Sequence, residues 1–189
     1  EIWVSDKYAF DLAKSIFKNT IIKRKHNYYF SNIKKIIKGK KIINKLNFKN
    51  IKGLFLGENI TEHALLSQGE INGFGYSEES ALTYLLENID NLNINIKSLK
   101  IRPHPSDQEG KYDFCIKNKI VKEISNKNEL IDDILSSDII FGCESMAMVV
   151  GLLAKKRVIS CIPNYKVNCC LPFPKILYLR DLLDKKINL

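Results

Sequence analysis

Two short apolar runs end abruptly in polar residues of the types that bind phosphate. The first is Leu99-Lys-Ile-Arg-Pro-His104-Pro105, and the second is Ser137-Asp-Ile-Ile-Phe-Gly142-Cys-Glu-Ser145. In an open α/β sheet, strands end in this way at the carboxyl edge, where ligands bind. We therefore predict that the two endings lie together at one ligand site.

His104 is the residue of the first ending that is best suited to bind phosphate or to act as an acid. The prolines on either side disfavour helix and hold the imidazole in an extended, rigid position. There it can donate a hydrogen bond to a phosphate oxygen or act as an acid toward a leaving phosphate. Arg102 lies two residues earlier, on the same side of the strand. A turn histidine bonded to a backbone carbonyl explains these residues equally well. We include Pro105 with this half of the site.

The second ending joins a strand to a helix that we expect to begin near Glu144. Backbone amides at a helix start, with the hydroxyl of Ser145 beside them, form an anion site. Glu144 could also accept hydrogen bonds from ribose hydroxyls or a cytosine amine. We include Gly142, Cys143 and Met146, which flank this helix start, in the predicted substrate site. An ordinary helix cap with a capping acid explains the same pattern. The glycines of a nucleophile elbow are absent, which disfavours hydrolase chemistry at Ser145.

Carboxylates that could serve as a general base follow the strand before these two. Gly57 and Glu58 end that strand and belong to the predicted substrate site. Glu58 is also a candidate for the base, together with Glu62, His63 and Glu70 in the loop that follows. Such a loop can reach the edge of the sheet. The spacing does not choose among these residues, and a solvated loop would contain them equally well.

The elements that must position these residues alternate between strand and helix after residue 50. Short connections of this kind are typical of a parallel sheet with helices on both faces, a Rossmann-like α/β fold. Residues 57–76 are predicted as a long loop. We predict strands over 51–56, 97–102, 120–124, 138–141, 157–162 and 175–179, and helices over 77–89, 129–136, 144–154 and 180–185. Neither a dinucleotide fingerprint nor a phosphate-binding P-loop occurs, which makes NAD and P-loop chemistry poor candidates.

The first 50 residues predict a different organisation. Residues 1–23 resemble a βαβ-like remnant of a preceding α/β domain, with Ser5 capping a helix that runs to Phe17. Residues 24–50 predict a basic connector with one amphipathic helix, which either packs on its own domain or lies on anionic lipid. Its apolar positions are Ile33, Ile36, Ile37, Ile42, Ile43 and Leu46. Residues 51–189 form the predicted main domain.

Composition limits the classes of binding partner and the cellular location that we expect. The net charge of +9 favours an anionic partner, although lysines on a solvated face would produce the same value. No nucleic-acid signature accompanies the charge, so we expect no nucleic-acid partner. Five cysteines without zinc spacing, and no apolar run of the roughly 18 residues that span a bilayer, predict a cytoplasmic protein. Contact with the inner membrane face through the connector remains an alternative.

Together these motifs resemble a known family. Leu54-Phe-Leu-Gly57, an acidic loop, Ser77-Glu-Glu-Ser, the pair His104-Pro105 and the segment ending in Ser145 are similar to the carboxy-terminal half of bacterial GT-B glycosyltransferases. The similarity is greatest to bacterial sialyltransferases and related capsule or lipooligosaccharide transferases. It covers about residues 51–180.

The resemblance implies a donor domain that binds CMP-sialic acid or a similar sugar, with a surface glycan as acceptor and no metal or other cofactor. It implies that His104 and Ser145 contact the donor phosphate. The family's acidic triplet, which supplies the base, is not intact here, so Glu62 and Glu70 stand in by location, with His104 as the third predicted catalytic residue. The acceptor domain is missing or reduced to residues 1–23.

Three alternative functions remain open at this point. The chain could be a GT-B-like UDP-sugar epimerase or hydrolase, or an enzyme of polyol-phosphate transfer. It could also be a non-catalytic module that binds nucleotide sugars or docks to a membrane. A homodimer could complete the cleft that a GT-B enzyme needs.

Overall fold

The described residues form two sheets, one of two strands and one of six. The computed structural model describes residues 1–40 and 50–184, and the chain divides into the units Glu1–Lys41 and Ile42–Leu189. Within the described ranges, no helix is long and apolar enough to cross a membrane.

The first unit pairs two short parallel strands and adds two helices. Its elements are β1 (Ile2–Val4), α1 (Lys7–Ile16), β2 (Ile22–Arg24) and α2 (Tyr28–Gly39), and Ile2 lies opposite Ile22. Asp6, rather than the predicted Ser5, caps α1, because its carboxylate accepts a hydrogen bond from the Ala9 amide at 2.8 Å.

Helix α2 is the helix predicted for the connector. The side chain of Asn27 caps it by accepting from the Phe30 amide at 2.9 Å, and Ile33 and Ile37 are buried one turn apart. The predicted apolar positions Ile42, Ile43 and Leu46 lie outside the described residues. The division into a domain remnant over 1–23 and a connector over 24–50 stays a prediction.

The second unit confirms the predicted Rossmann-like sheet with flanking helices. All six strands are parallel, in the order β5-β4-β3-β6-β7-β8. The strands are β3 (Ile51–Leu56), β4 (Ile96–Arg102), β5 (Val121–Ile124), β6 (Ile139–Gly142), β7 (Arg157–Ser160) and β8 (Ile176–Tyr178). The helices are α3 (Ile60–Gln68), α4 (Glu78–Asn88), α5 (Leu130–Ser136), α6 (Met146–Leu153) and α7 (Leu179–Leu183), with 3-10 turns at Ile89–Asn91 and Asp113–Cys115.

The central strands are buried on both faces, as the apolar runs require. Leu54, Phe55 and Leu56 of β3 are all buried, and Phe55 shares a core cluster with Leu82 of α4. On the other face, a Cβ atom added to Gly151 of α6 would lie 3.2 Å from the side chains of both Ile140 and Val158. The glycine therefore lets α6 pack closely against β6 and β7.

Helix α3 lies inside the stretch that we predicted to be a loop. Ile60 and Ala64 are buried one turn apart, and Gly69, with a φ of 76°, ends the helix in the left-handed conformation. Leu65 and Leu66 of the same helix face solvent. These exposed leucines disrupt the apolar period by which an amphipathic helix is recognised in a sequence.

The strand order contains a switch point between β3 and β6. The chain proceeds from β3 outward to β5, then returns to the other side of β3 and proceeds through β6 to β8. Connections that leave in opposite directions open a crevice at the carboxyl ends of the two strands, and open α/β sheets bind ligands there.

Candidate functional site

Glu58 and Glu144 meet at the switch point. Glu58 follows β3 and Glu144 lies between β6 and α6, 86 residues later. The Oε2 atom of Glu58 accepts a hydrogen bond from the backbone amide of Glu144 at 3.0 Å, and the amide of Ser145 also donates to this carboxylate. The amides that the sequence suggested for a phosphate therefore hold a carboxylate of the chain itself.

The electrostatics of Glu58 suit a group that exchanges protons near neutrality. Burial disfavours its charged form, and the negative charges of Glu144 and Glu78 add to that effect, while the two amides oppose it. The sum raises the pKa of Glu58 to about 7. A carboxylate with such a pKa at a ligand crevice is a candidate general base.

A loop between β7 and β8 lies beside Glu144. The Oε2 atom of Glu144 accepts a hydrogen bond from the Cys170 amide in that loop at 2.9 Å. The buried guanidinium of Arg180 holds the loop by donating to the carbonyl oxygens of Asn164 and Val167, each at 2.8 Å. Glu144 is thereby fixed in position beside Glu58.

Tyr76 brings an unsatisfied hydroxyl to the same place. Its side chain is only 4% exposed, and among the described residues its hydroxyl has no hydrogen-bond partner of ordinary geometry. Burial and the nearby Cys143, Glu144 and Glu58 raise the pKa of Tyr76, so the hydroxyl stays protonated. A buried hydroxyl without a partner costs free energy, which a ligand that bonds to it would recover.

The remaining predicted residues of the second ending have structural contacts. Ser145 caps α6 by accepting from the Ala147 amide at 3.2 Å. The side chain of Cys143 is fully buried, and its carbonyl accepts from the Ser160 hydroxyl at 2.7 Å. A Cβ atom on Gly142 would lie 3.1 Å from the sulfur of Met148. Met146 is exposed at the start of α6.

His104 lies at the end of β4, half-buried, with one ring nitrogen engaged. Its Nδ1 atom is 2.7 Å from the Ser106 hydroxyl, which also accepts from the Asn59 side chain at 3.1 Å. In residues 1–40 and 50–184, Nε2 of His104 has no hydrogen-bond partner. That nitrogen is available to a ligand. Pro105 beside it is exposed.

Gly57 lets the ends of β3 and β4 approach closely. Its amide donates to the Arg102 carbonyl at 2.8 Å. A Cβ atom at this position would lie 2.9 Å from that carbonyl oxygen and 3.1 Å from the His104 amide nitrogen. The glycine therefore brings the His104 loop next to Glu58.

Arg102 is held in a buried ion pair. Its Nη1 atom donates to Asp133 at 2.6 Å and to the carbonyl oxygen of Asn128 at 2.8 Å. Lys100 is also 2.9 Å from Asp133. Burial alone would raise the pKa of Asp133, but hydrogen bonds from Lys100, Asn128 and Arg102 outweigh it and lower that pKa. The arginine that we predicted to bind phosphate thus has a structural partner.

Glu62 and Glu70, the predicted bases, are exposed. Glu62 lies in the first turn of α3 and accepts a hydrogen bond from Asn59. Glu70 follows α3 in a turn, where its carbonyl accepts from the Gly73 amide. Burial therefore favours Glu58 over both as a base, and the assignment stays a prediction.

Sequence reasoning missed Tyr76, Asp107 and Lys111. Asp107 and Lys111 form an ion pair at 2.6 Å in the segment after His104, and Tyr76 precedes the cap of α4. A charged pair four residues apart is common on any solvated surface, and a tyrosine before a helix cap is an ordinary staple position. No local pattern distinguishes these residues as part of a site.

In the part of the chain that the structure describes, no three His, Cys, Asp or Glu side chains form a group that could hold a metal ion. Metal independence of any reaction stays a prediction.

Comparisons with known proteins give one distant structural likeness. No protein-family model matches the sequence, and no curated protein is significantly similar to it. Among solved structures, the chain is similar to Thermosulfurimonas dismutans KpsC, described as a beta Kdo 2,4 transferase, at 17% identity and a TM-score of 0.40. The match covers 70% of this chain and 43% of that chain. At this level the likeness carries no argument about function.

Proposed function

We propose that the second unit is the nucleotide-sugar-binding domain of a glycosyltransferase with a CMP-linked donor. The observation that carries the proposal is the switch point, where Glu58, Glu144 and the unpartnered hydroxyl of Tyr76 meet. Carboxylates and a tyrosine hydroxyl can bond to the hydroxyl groups of a ribose or sugar. The CMP-sugar donor is expected from the motif resemblance.

In the proposed reaction, an acceptor hydroxyl transfers its proton to the Glu58 carboxylate. The acceptor oxygen then bonds to the anomeric carbon of the sugar, and the bond between that carbon and the phosphate oxygen of CMP breaks. CMP leaves with the electron pair. The free Nε2 atom of His104 would donate a hydrogen bond to the departing phosphate, which is the electrostatic contribution that the ending of β4 can make.

Thermal stabilisation by CMP, CDP, UDP and their sugars tests the donor site. A ligand at 100 times its dissociation constant stabilises a protein by about 2.7 kcal/mol. We expect a shift that is selective for CMP and is lost in His104→Ala. His63→Ala is the matched control, because His63 lies exposed in α3. A UDP-selective shift would favour an epimerase or hydrolase, and no shift with any nucleotide would overturn the proposal.

The role of Glu58 is tested separately from donor binding. Glu58→Gln keeps the shape of the side chain and removes the base, so we expect transfer to a glycan acceptor to fall at least 100-fold while the CMP shift remains. Glu62→Gln is the control, since that carboxylate is exposed. If transfer survives in Glu58→Gln and fails in Glu62→Gln, the base is Glu62 of α3 and not Glu58.

A further inference from the structure

The loop that carries His104 is closed by its own backbone and one carboxylate. Oδ2 of Asp107 accepts from the His104 amide at 2.7 Å, and the Asp107 amide donates to the His104 carbonyl at 2.9 Å. This reciprocal pair fixes the backbone on both sides of the imidazole. The carboxylate of Asp107 has no exposed surface.

Two further donors hold Asp107 itself. The Tyr112 hydroxyl donates to Oδ2 at 3.2 Å, and the ammonium group of Lys111 donates to Oδ1 at 2.6 Å. Tyr112 is 1% exposed. Three donors on a buried carboxylate leave it little freedom to rotate, so the loop has one arrangement.

Lys111 joins this loop to two other segments of the site. Its ammonium group also forms an ion pair with Glu78 at the start of α4, whose carboxylate is 2% exposed. The other oxygen of Glu78 accepts from the amide and the hydroxyl of Thr61, at 3.0 and 2.8 Å. The starts of α3 and α4 and the loop after β4 are therefore tied through one lysine.

The charges in this network stabilise one another. Burial lowers the pKa of Lys111, but hydrogen bonds with Asp107 and Glu78 outweigh it and raise that pKa. Burial likewise raises the pKa of Glu78, but the hydrogen bonds from Lys111, from its own backbone amide and from Thr61 together outweigh it and lower that pKa. The ammonium group and the Glu78 carboxylate both stay charged at neutral pH.

The network contacts the strand end that carries Glu58. A Cβ atom on Gly57 would lie 2.6 Å from the Tyr112 hydroxyl, as well as 3.1 Å from the His104 amide nitrogen. The network therefore lies against the backbone next to Glu58 as well as against the loop of His104.

We propose that Lys111 and Asp107 are positioning residues, which hold the His104 loop against the end of β3 so that Nε2 of His104 faces the donor phosphate. The proposal rests on the proposed function for its ligand. It extends that function because it gives a role to two residues outside the set that we propose to contact the donor. Displacement of a binding group by about 1 Å can cost a large factor in rate or affinity, so a rigid loop is needed.

The test compares Lys111→Met, Lys111→Arg and the control Lys122→Met. Lys122 is exposed in β5 and donates to the Lys119 carbonyl. With only three histidines in the chain, the imidazole resonances of His104 are assigned from their loss in His104→Ala. We expect Lys111→Met to shift those resonances and to weaken CMP binding about tenfold. Lys111→Arg should restore binding to within about threefold, because it keeps the charge.

A purely structural role gives a different result. Lys111→Met would then lower the melting temperature and leave the His104 resonances and the CMP affinity unchanged, which overturns the proposal. If Lys111→Met does not fold, Tyr112→Phe removes one donor to Asp107 and should change the same resonances in a milder way. If the wild-type chain binds no nucleotide, the proposed function fails, but the response of His104 to Lys111→Met still decides the positioning role.

Discussion

Two carboxylates of the second unit, the buried Asp133 and the half-buried Glu58, have opposite electrostatics. Asp133 on α5 lies against Lys100 and Arg102, and its pKa is lowered. Glu58 at the switch point accepts hydrogen bonds from the backbone amides of Glu144 and Ser145 and lies near the Glu144 carboxylate, and its pKa is raised to about 7. Burial raises the pKa in both cases and is the largest single effect in each. Whether a cation lies beside the carboxylate decides whether its pKa is lowered or raised.

This difference separates a structural carboxylate from a candidate functional one. A buried charge that is paired and hydrogen-bonded stabilises the fold, whereas one that faces other carboxylates is kept at a cost to stability. Perturbed groups of the second kind cluster at functional sites. The carboxyl edge between β3 and β6 therefore has the features of a site, and the Asp133 cluster has those of a structural support.

The largest effect that we expect is in Asp133→Asn. Removal of the carboxylate leaves the partly buried Lys100 and Arg102 without their shared anion, so unfolding free energy should fall by about 3 kcal/mol. Urea unfolding measures this value. Because the pKa of Asp133 is lowered by folding, its stabilising contribution is present near neutral pH and is lost as the pH falls below about 4. The wild type and the variant should then converge in acid.

Asp90→Asn is the control for that change, because Asp90 is an exposed aspartate of the same unit. An equal loss of unfolding free energy in Asp90→Asn and Asp133→Asn would contradict this prediction, since the pairing of Asp133 with Lys100 and Arg102 would then add no stability of its own.

Glu58→Gln should raise the free energy of unfolding rather than lower it, by an amount between those of the other two variants. The pKa of Glu58 rises from 4.5 to about 7 on folding, so the folded state binds the proton more tightly. Unfolding free energy therefore falls as the pH rises between these two values. We expect Glu58→Gln to be more stable than the wild type by about 1–3 kcal/mol at pH 8, with little difference near pH 4.

Chemical denaturation across this pH range measures the effect, and a carboxyl-carbon NMR titration of Glu58 measures its pKa directly. Glu62→Gln is the control, because it makes the same substitution at an exposed position of the same unit. A wild type that is more stable than Glu58→Gln at pH 8 would place Glu58 with the paired carboxylates.

The smallest effect concerns the unpartnered hydroxyl at the switch point. Tyr76→Phe removes a buried donor without a partner, so we expect it to be neutral or more stable by about 1 kcal/mol while CMP binds more weakly. Tyr112→Phe is the matched comparison, since the Tyr112 hydroxyl is bonded to Asp107 and its loss should destabilise the fold. Calorimetric melting with and without CMP separates the two. Destabilisation of equal size in both variants would show that Tyr76 has a partner in solution.

Much of the fold could be predicted because its signals are local. The apolar runs at 51–56 and 139–142 appear as buried strands, and alternation with helices led to a parallel sheet. Ser77 was recognisable as a helix cap from its own neighbours. Helix α3 was missed because its apolar period is disrupted by leucines that face solvent.

The site was predictable only in part. The endings that carry His104 and Glu144 were identified correctly as strand ends at one edge. Their partners were not, since Arg102 pairs with Asp133 and the amide of Glu144 bonds to Glu58. A sequence indicates which residues can bond, but it does not indicate which distant residues compete for the same bond.

The sequence by itself determined the elements, the class of sheet and the edge at which polar residues collect, because each follows from residue types within a few positions of one another. Only the tertiary structure decided that β3 lies beside β6, which brings Glu58 to an amide 86 residues away. It also decided which carboxylates have a cation nearby. That pairing sets their pKa values, and it depends on strand order and burial, which no local pattern contains.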